Sequence, residues 1–226
     1  MADRVKSRRR YDSPRRREQA AGTRREILEA AQRLFERQGY AATSMAAIAG
    51  EAGVALKTVY VAFETKRGVL LALWHLRLRG DEEPVPVGER PWFREVVDEP
   101  DAERQLRLNA RNSRMVKERA GALMEILRSA APADAEIGAL WNRIQAEFYD
   151  NQRSIVEILH RKKALRAGLA VARAADILWT LNHPSLYRLL VGDRGWTPEQ
   201  YEKWLADLLC SQLLRQRTRK ITSRAR

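Results

Sequence analysis

The chain has 226 residues, 45% of them hydrophobic, and a formal net charge of +13; that length can bury a real core in one or two small domains. A single cysteine, Cys210, excludes an internal disulfide framework and fits a reducing compartment, where a buried structural thiol is the expected role. No apolar run approaches the ~20 residues of a membrane span, and the arginine-rich N-terminus lacks the apolar segment of a secretory signal, so the expected location is cytoplasmic, with no membrane partner.

The placement of the charge says more than its size. Residues 1–25 hold ten Lys or Arg against three acids, and residues 215–226 hold six and no acids. The rest of the chain is balanced, so the basicity belongs to two ends. Such ends favour a polyanionic partner.

In chain order, residues 1–22 lack apolar periodicity and read as a basic disordered arm. Thr23-Arg24-Arg25-Glu26 fits a capping box and predicts that a first helix starts at Thr23. Ile27, Ala31, Leu34 and Phe35 give that helix one apolar stripe, and Gly39 is expected to end it as a left-handed cap. A second helix should open at Thr43 or Ser44, whose hydroxyl can cap it while the first amides face a phosphate. Gly53 supplies the positive φ of a sharp turn. A third helix follows over about Leu56–Ala62, and a fourth runs from Thr65-Lys66 to about Arg79. Small Ala46 and Ala49 let helices cross closely, while Ile48, Val54, Val59 and Phe63 fill the interior. This is a helix-turn-helix layout, whose second helix enters the DNA major groove.

The run from Thr23 to about Leu73 resembles the DNA-binding domain of the tetracycline-repressor-like (TetR) family. The matching marks are Gly39-Tyr40, Thr43, Ile48-Ala49, Ala52-Gly53-Val54, Thr58-Val59-Tyr60, Phe63 and Lys66. The resemblance implies that Thr43, Ser44, Tyr60 and Lys66 anchor phosphates. It also implies that Ala55, Leu56, Lys57, Thr58 and Val59 form the exposed start of the recognition helix. Arg24 and Arg25, next to the basic arm, are further expected DNA contacts. Two departures stand out. Many family members have Ser-Lys-Gly where this chain has Ala55-Leu56-Lys57, and Tyr-His where it has Val61-Ala62, so two polar phosphate contacts are missing.

The acidic, proline-rich segment Asp81 to Pro91 is the expected internal boundary. It separates a DNA-binding domain over 23–80 from a helical domain over 91–215, with a basic tail over 216–226. The second domain should hold a short helix over Trp92–Val97 started by Pro91, then long helices to about Ala130 and over about Ala135–Lys162. A helix over about Leu169–Val191, interrupted at Pro184, and another over Pro198–Arg215 complete an all-α chain; Thr197 to Gln200 is a second capping box.

The two long helices carry apolar stripes with polar gaps, the mixture that a pocket for an apolar ligand with a few oriented hydrogen bonds needs. Asn109, Ser113, Trp141, Phe148, Asn151 and Trp179 are the candidate ligand contacts. The family resemblance implies a small-molecule effector there. The last two helices are apolar on adjacent faces, more than one core needs. Leu178, Leu186, Leu190, Trp204, Leu205 and Leu209 are the candidate dimer contacts, and the resemblance implies a four-helix bundle between two copies. A twofold dimer would read a near-palindromic operator. His75, His160 and His183 are scattered without metal-ligand spacing, and there is no phosphate-binding glycine loop or nucleophile elbow. The expectation is therefore no catalytic residue, no metal, no cofactor and no enzyme. It is a homodimeric DNA-binding regulator, a repressor released by an unknown effector. The alternatives are an effector-independent DNA-binding dimer and a helical ligand-binding protein or enzyme without DNA function.

Overall fold

The computed structural model describes residues 14–79 and 85–215; the basic stretch 1–13 and the tail 216–226 lie outside the described residues. These residues are helical, with an isolated antiparallel bridge between Leu165 and Leu214 and no strand among them. The chain divides between Leu73 and Trp74 into two compact units. That division falls inside a continuous helix, ahead of the acidic segment expected to mark it. Composition punctuates loops, and a helix shared by two cores leaves no such mark.

In the first unit, α1 spans Pro14–Ala42 and so begins well before Thr23. The expected arm is thus helical from residue 14, and Thr23 lies within the helix rather than capping it. Glu18, Gln19, Ala20 and Ala21 are good helix formers on a solvated turn, and extending an existing helix costs little. A stretch without an apolar face hides such a turn from periodicity. Gly39 (φ 80, ψ 165) breaks α1, in a more extended region than the expected left-handed cap, yet one still open to glycine.

Helix α2 spans Met45–Ala52, with the Ser44 hydroxyl accepting the Ala47 N–H at 3.1 Å. Gly53 (φ 67, ψ 27) is the left-handed turn, and α3 follows over Leu56–Phe63. The chain bends by 111° between them, within the usual range for a helix-turn-helix. Ile27, Leu28, Leu34, Phe35, Ile48, Val59 and Phe63 are buried. Helix α4, Lys66–Arg79, opens after a tight corner. Glu64 has φ 60, and a Cβ on Gly68 would lie 2.1 Å from the Phe63 carbonyl oxygen, so only glycine fits there.

The second unit holds α5 (Pro91–Asp98), α6 (Ala102–Ala130), α7 (Ala135–Arg161), α8 (Val171–Leu181), α9 (Pro184–Tyr187) and α10 (Pro198–Leu213). Pro91 sits at the first turn of α5, and Asp101 and Asp134 cap α6 and α7. Both halves of the Thr197–Gln200 capping box are made. After α9 the chain widens into a π-helical turn over Arg188–Asp193. Helix α6 packs on α10 and α7 on α8, around a core that includes Leu106, Ile155, Leu159, Leu178, Tyr201, Leu205 and Leu209. Burying such side chains is worth about 1.5–3 kcal/mol each.

That core corrects half of the expected dimer set. Leu178, Leu205 and Leu209 are completely buried within one chain, so they hold the monomer together. Leu186, Leu190 and Trp204 are only partly buried against the same core. A helical stripe does not reveal which of two apolar faces looks inward until its neighbours are placed.

Candidate functional site

Two separate features are the candidates for function, one in each unit. In the first unit, the start of α3 is open. Ala55, Leu56, Lys57, Tyr60 and Val61 are exposed and Thr58 is half-buried, whereas Val59 and Phe63 anchor the helix inward. Val59 is fully buried and leaves the expected contact set; it sits at the inward position of α3's period. Ser44 is exposed at the start of α2.

Three other expected contacts are committed elsewhere. Thr43 is buried, and its hydroxyl donates to the Gly39 carbonyl at 2.8 Å across the break in α1. Lys66 donates to the carbonyls of Tyr40 (2.8 Å) and Thr43 (2.7 Å), with a longer contact to Ala41 at 3.4 Å. Its ammonium also lies 4.2 Å from the centre of the Tyr40 ring. These bonds join the start of α4 to the junction of α1 and α2, where carbonyls freed by the helix end favour a cation. Arg24 donates to the Ala62 carbonyl at 2.8 Å and stacks on Phe63 at 4.2 Å, which ties α1 to the end of α3. Arg25 is exposed. Arg33 and Arg37 hold Glu51 of α2 at 2.9 and 3.1 Å and keep its carboxyl below the usual range. Arg24 and Lys66 therefore serve the packing of the first unit, while Arg33 and Arg37 brace α2 from the surface.

In the second unit, a cavity of about 110 Å³ is lined by residues that include Trp74, Leu78, Trp92, Phe93, Val116, Met124, Ile144 and Phe148. Of the expected ligand contacts, Asn109, Ser113, Phe148 and Asn151 line it. Trp141 lines instead a neighbouring cavity of about 460 Å³ that shares Lys117, Met124 and Pro184 with the first. Trp179 lies outside the lining of both; it is edge-on to Tyr149 and His183.

The central polar group escaped the sequence reading. Lys117 is 5% exposed. Its ammonium donates to the Ser113 hydroxyl (2.6 Å), the Tyr201 hydroxyl (2.7 Å) and Asn182 Oδ1 (2.9 Å). The Ser113 hydroxyl donates to the same Asn182 oxygen, and Asn182 Nδ2 donates to Gln152 Oε1 at 3.1 Å. Every partner is neutral. Burial pushes the Lys117 ammonium well below the ordinary lysine range, since no nearby carboxylate restores the lost hydration. The signal was present in the sequence: Lys117 follows Ser113 by four residues, on the same helical face. A long lysine at a stripe's edge usually snorkels outward, so the pattern alone did not single it out. Cys210 is half-buried, and burial raises its thiol to about 11, so the thiolate that redox chemistry needs is scarce.

Residues 27–73 match the family model described as bacterial regulatory proteins, tetR family. The chain is 28% identical over 165 residues to the HTH-type transcriptional regulator AcrR of Shigella flexneri, covering 71% of this chain and 75% of that protein. Among solved structures it is similar to NalD of Pseudomonas aeruginosa, the secondary repressor of the MexAB-OprM multidrug efflux pump (TM-score 0.66, 22% identity, 88% of this chain and 100% of that one). It is also similar to FadR of Bacillus subtilis in complex with stearoyl-CoA (TM-score 0.66, 19% identity, 83% of this chain and 97% of that one). With α3 and its supports in the first unit, residues 27–73 form a DNA-binding domain of the kind found in the tetR family of bacterial regulatory proteins, and the likeness to the solved structures extends over the fold of most of the chain.

Proposed function

We propose that this protein is a homodimeric, cytoplasmic repressor that binds a near-palindromic operator and leaves it when a small molecule enters the cavity of the second unit. The observation that carries the DNA half is the open first turn of α3, held at 111° to α2 while Val59 and Phe63 anchor it. Lys57 and Thr58 reach base edges, and the exposed apolar Leu56 and Val61 suit thymine methyl groups. Ser44, Tyr60 and Arg25 take phosphates. NalD, a repressor, and FadR, which binds stearoyl-CoA, lend the reading its sign and its ligand dependence.

The partly buried side of α8 and α10 is the better dimer surface. Ile177, Thr180, Leu181 and Leu208 line a shallow groove there, flanked by Arg173 and Asp176. Ile177→Glu with Leu208→Glu should give a folded monomer in sedimentation. Leu205→Glu should unfold the unit instead, because it buries an unpaired charge. A double variant that stays dimeric would move the interface elsewhere. The DNA half is tested by recovering bound genomic DNA and titrating it against random duplex. Lys57→Ala or Thr58→Ala should cost about 1–3 kcal/mol on the operator and relax preference at one or two positions per half-site. Equal losses on both duplexes would remove α3 from base reading.

A further inference from the structure

Among the described residues, two buried donors at the cavity of the second unit have no partner, beside a buried lysine without a counter-charge. Asn109 is 5% exposed, and its Nδ2 is buried without a hydrogen-bond partner. The indole Nε1 of Trp92 is likewise buried without a partner. Both side chains line the cavity, as does Lys117. Lys117 has three neutral acceptors and no counter-charge among the described residues. Donors left unpaired in a buried site discriminate strongly for a ligand that satisfies them. A cation would meet like charge at Lys117, and a purely apolar guest would leave Asn109 and Trp92 unsatisfied.

We infer that the effector is an amphipathic acid, whose carboxylate seats among Lys117, Asn109 and Trp92 while its apolar body lies against Phe93, Val116, Ile144 and Phe148. This rests on the cavity being the effector site. A carboxylate offers several lone-pair sites, enough to accept from Asn109 and Trp92 while it stands as counter-charge to Lys117. Charge-assisted hydrogen bonds of that kind are about twice as strong as neutral ones. The burial that makes the lysine's charge costly without a partner makes it selective with one. The carboxylate of Glu147, on an exposed residue of the lining, is the one feature that would favour a cation instead.

The experiment compares four probes on the full-length protein by titration calorimetry: octanoate, 4-phenylbutyrate, 1-octanol and octylammonium. At least one acid should bind about tenfold or more tightly than octanol, the scale of one charged hydrogen bond, and octylammonium should bind weakest. The two acids separate an alkyl from an aryl body. Lys117→Met should abolish the preference for acid over alcohol; Lys117→Gln serves if the first variant does not fold. Octanol binding as tightly as both acids, or octylammonium binding most tightly, overturns the anion assignment and leaves the cavity as the effector site. An acid preference that survives the loss of Lys117 also overturns it. Failure of all four probes to bind overturns the assignment together with the cavity reading on which it rests.

Discussion

Lys66 and Lys117 show how the same side chain takes opposite roles in the two units. Lys66 was expected to face a phosphate, and it instead donates to backbone carbonyls at the junction of α1 and α2. Lys117 lies at the edge of a stripe expected to be core with polar gaps, and it is a buried ammonium at a cavity with neutral partners alone. The difference lies in the acceptors. A helix end presents carbonyls that need a donor wherever they lie, so Lys66 stabilises the fold. Hydroxyl and amide groups can pair with one another, as Ser113 does with Asn182. They do not require Lys117 to be satisfied, so its charge is not needed for their pairing.

The comparison breaks most readily under one substitution made twice. Lys66→Met should lower the stability of the first unit by about 2–3 kcal/mol, because carbonyls lose a charged donor. All six tryptophans lie from Trp74 onward, so amide hydrogen exchange across α1–α3 is the proper measurement. Unchanged protection there would return Lys66 to DNA contact alone. Lys117→Met should leave the second unit equally stable or stabilise it by up to about 2 kcal/mol, since replacing a buried uncompensated charge with an apolar group is commonly favourable. Urea unfolding followed by tryptophan emission reads this directly. A large loss would mean that the network is structural.

The pH dependence sharpens the same point with a smaller effect. The folded protein holds the Lys117 ammonium well below its ordinary pKa. Between that depressed value and the ordinary one, the unfolded chain binds the extra proton, so stability rises with pH by at most about 1.4 kcal/mol per unit. His183 is also lowered, chiefly by burial and then by Lys117 and Arg128, and acts in the same direction below its ordinary value. The phenols of buried Tyr201 and half-buried Tyr187 are raised, chiefly by burial, and act oppositely above the ordinary tyrosine range. Urea midpoints should therefore climb in the wild type as pH approaches the ordinary lysine value from below, and flatten in Lys117→Met. Parallel curves would assign the slope to other groups.

The smallest effect separates Arg24 from Arg25. Arg24→Met should cost about 1 kcal/mol of stability through the lost Ala62 bond. Arg25→Ala should leave stability alone and reduce the salt slope of DNA binding by about 0.9 if it contacts one phosphate. Anisotropy titrations at several salt concentrations distinguish the two, and identical behaviour would erase the distinction.

Much of the fold was legible because its signals are local. Gly53 at positive φ, the Thr197–Gln200 box and Pro91 at a helix start each follow from covalent geometry or from free amides at a helix end. Periodicity found α6, α7 and α10 to within a residue or two, since an apolar face must be buried by something. The first turns of α1 were hidden because a solvated helix needs no apolar face. Thr23 matched a capping box by composition alone, and good helix formers upstream prevailed.

What only the tertiary structure decided is which partner each side chain met. The sequence by itself determined an all-helical chain, a helix-turn-helix near its start and polar residues set into the stripe of α6. It could not assign Leu205 and Leu209 to a monomer core rather than a dimer face, because both uses need the same apolar spacing. Nor could it separate Lys57, exposed on α3, from Lys66, tied to backbone carbonyls, or show that Lys117 would lie beside Tyr201 and Asn182. Those contacts join residues far apart in the chain, and a side chain's role depends on the acceptors and the dielectric that packing brings to it.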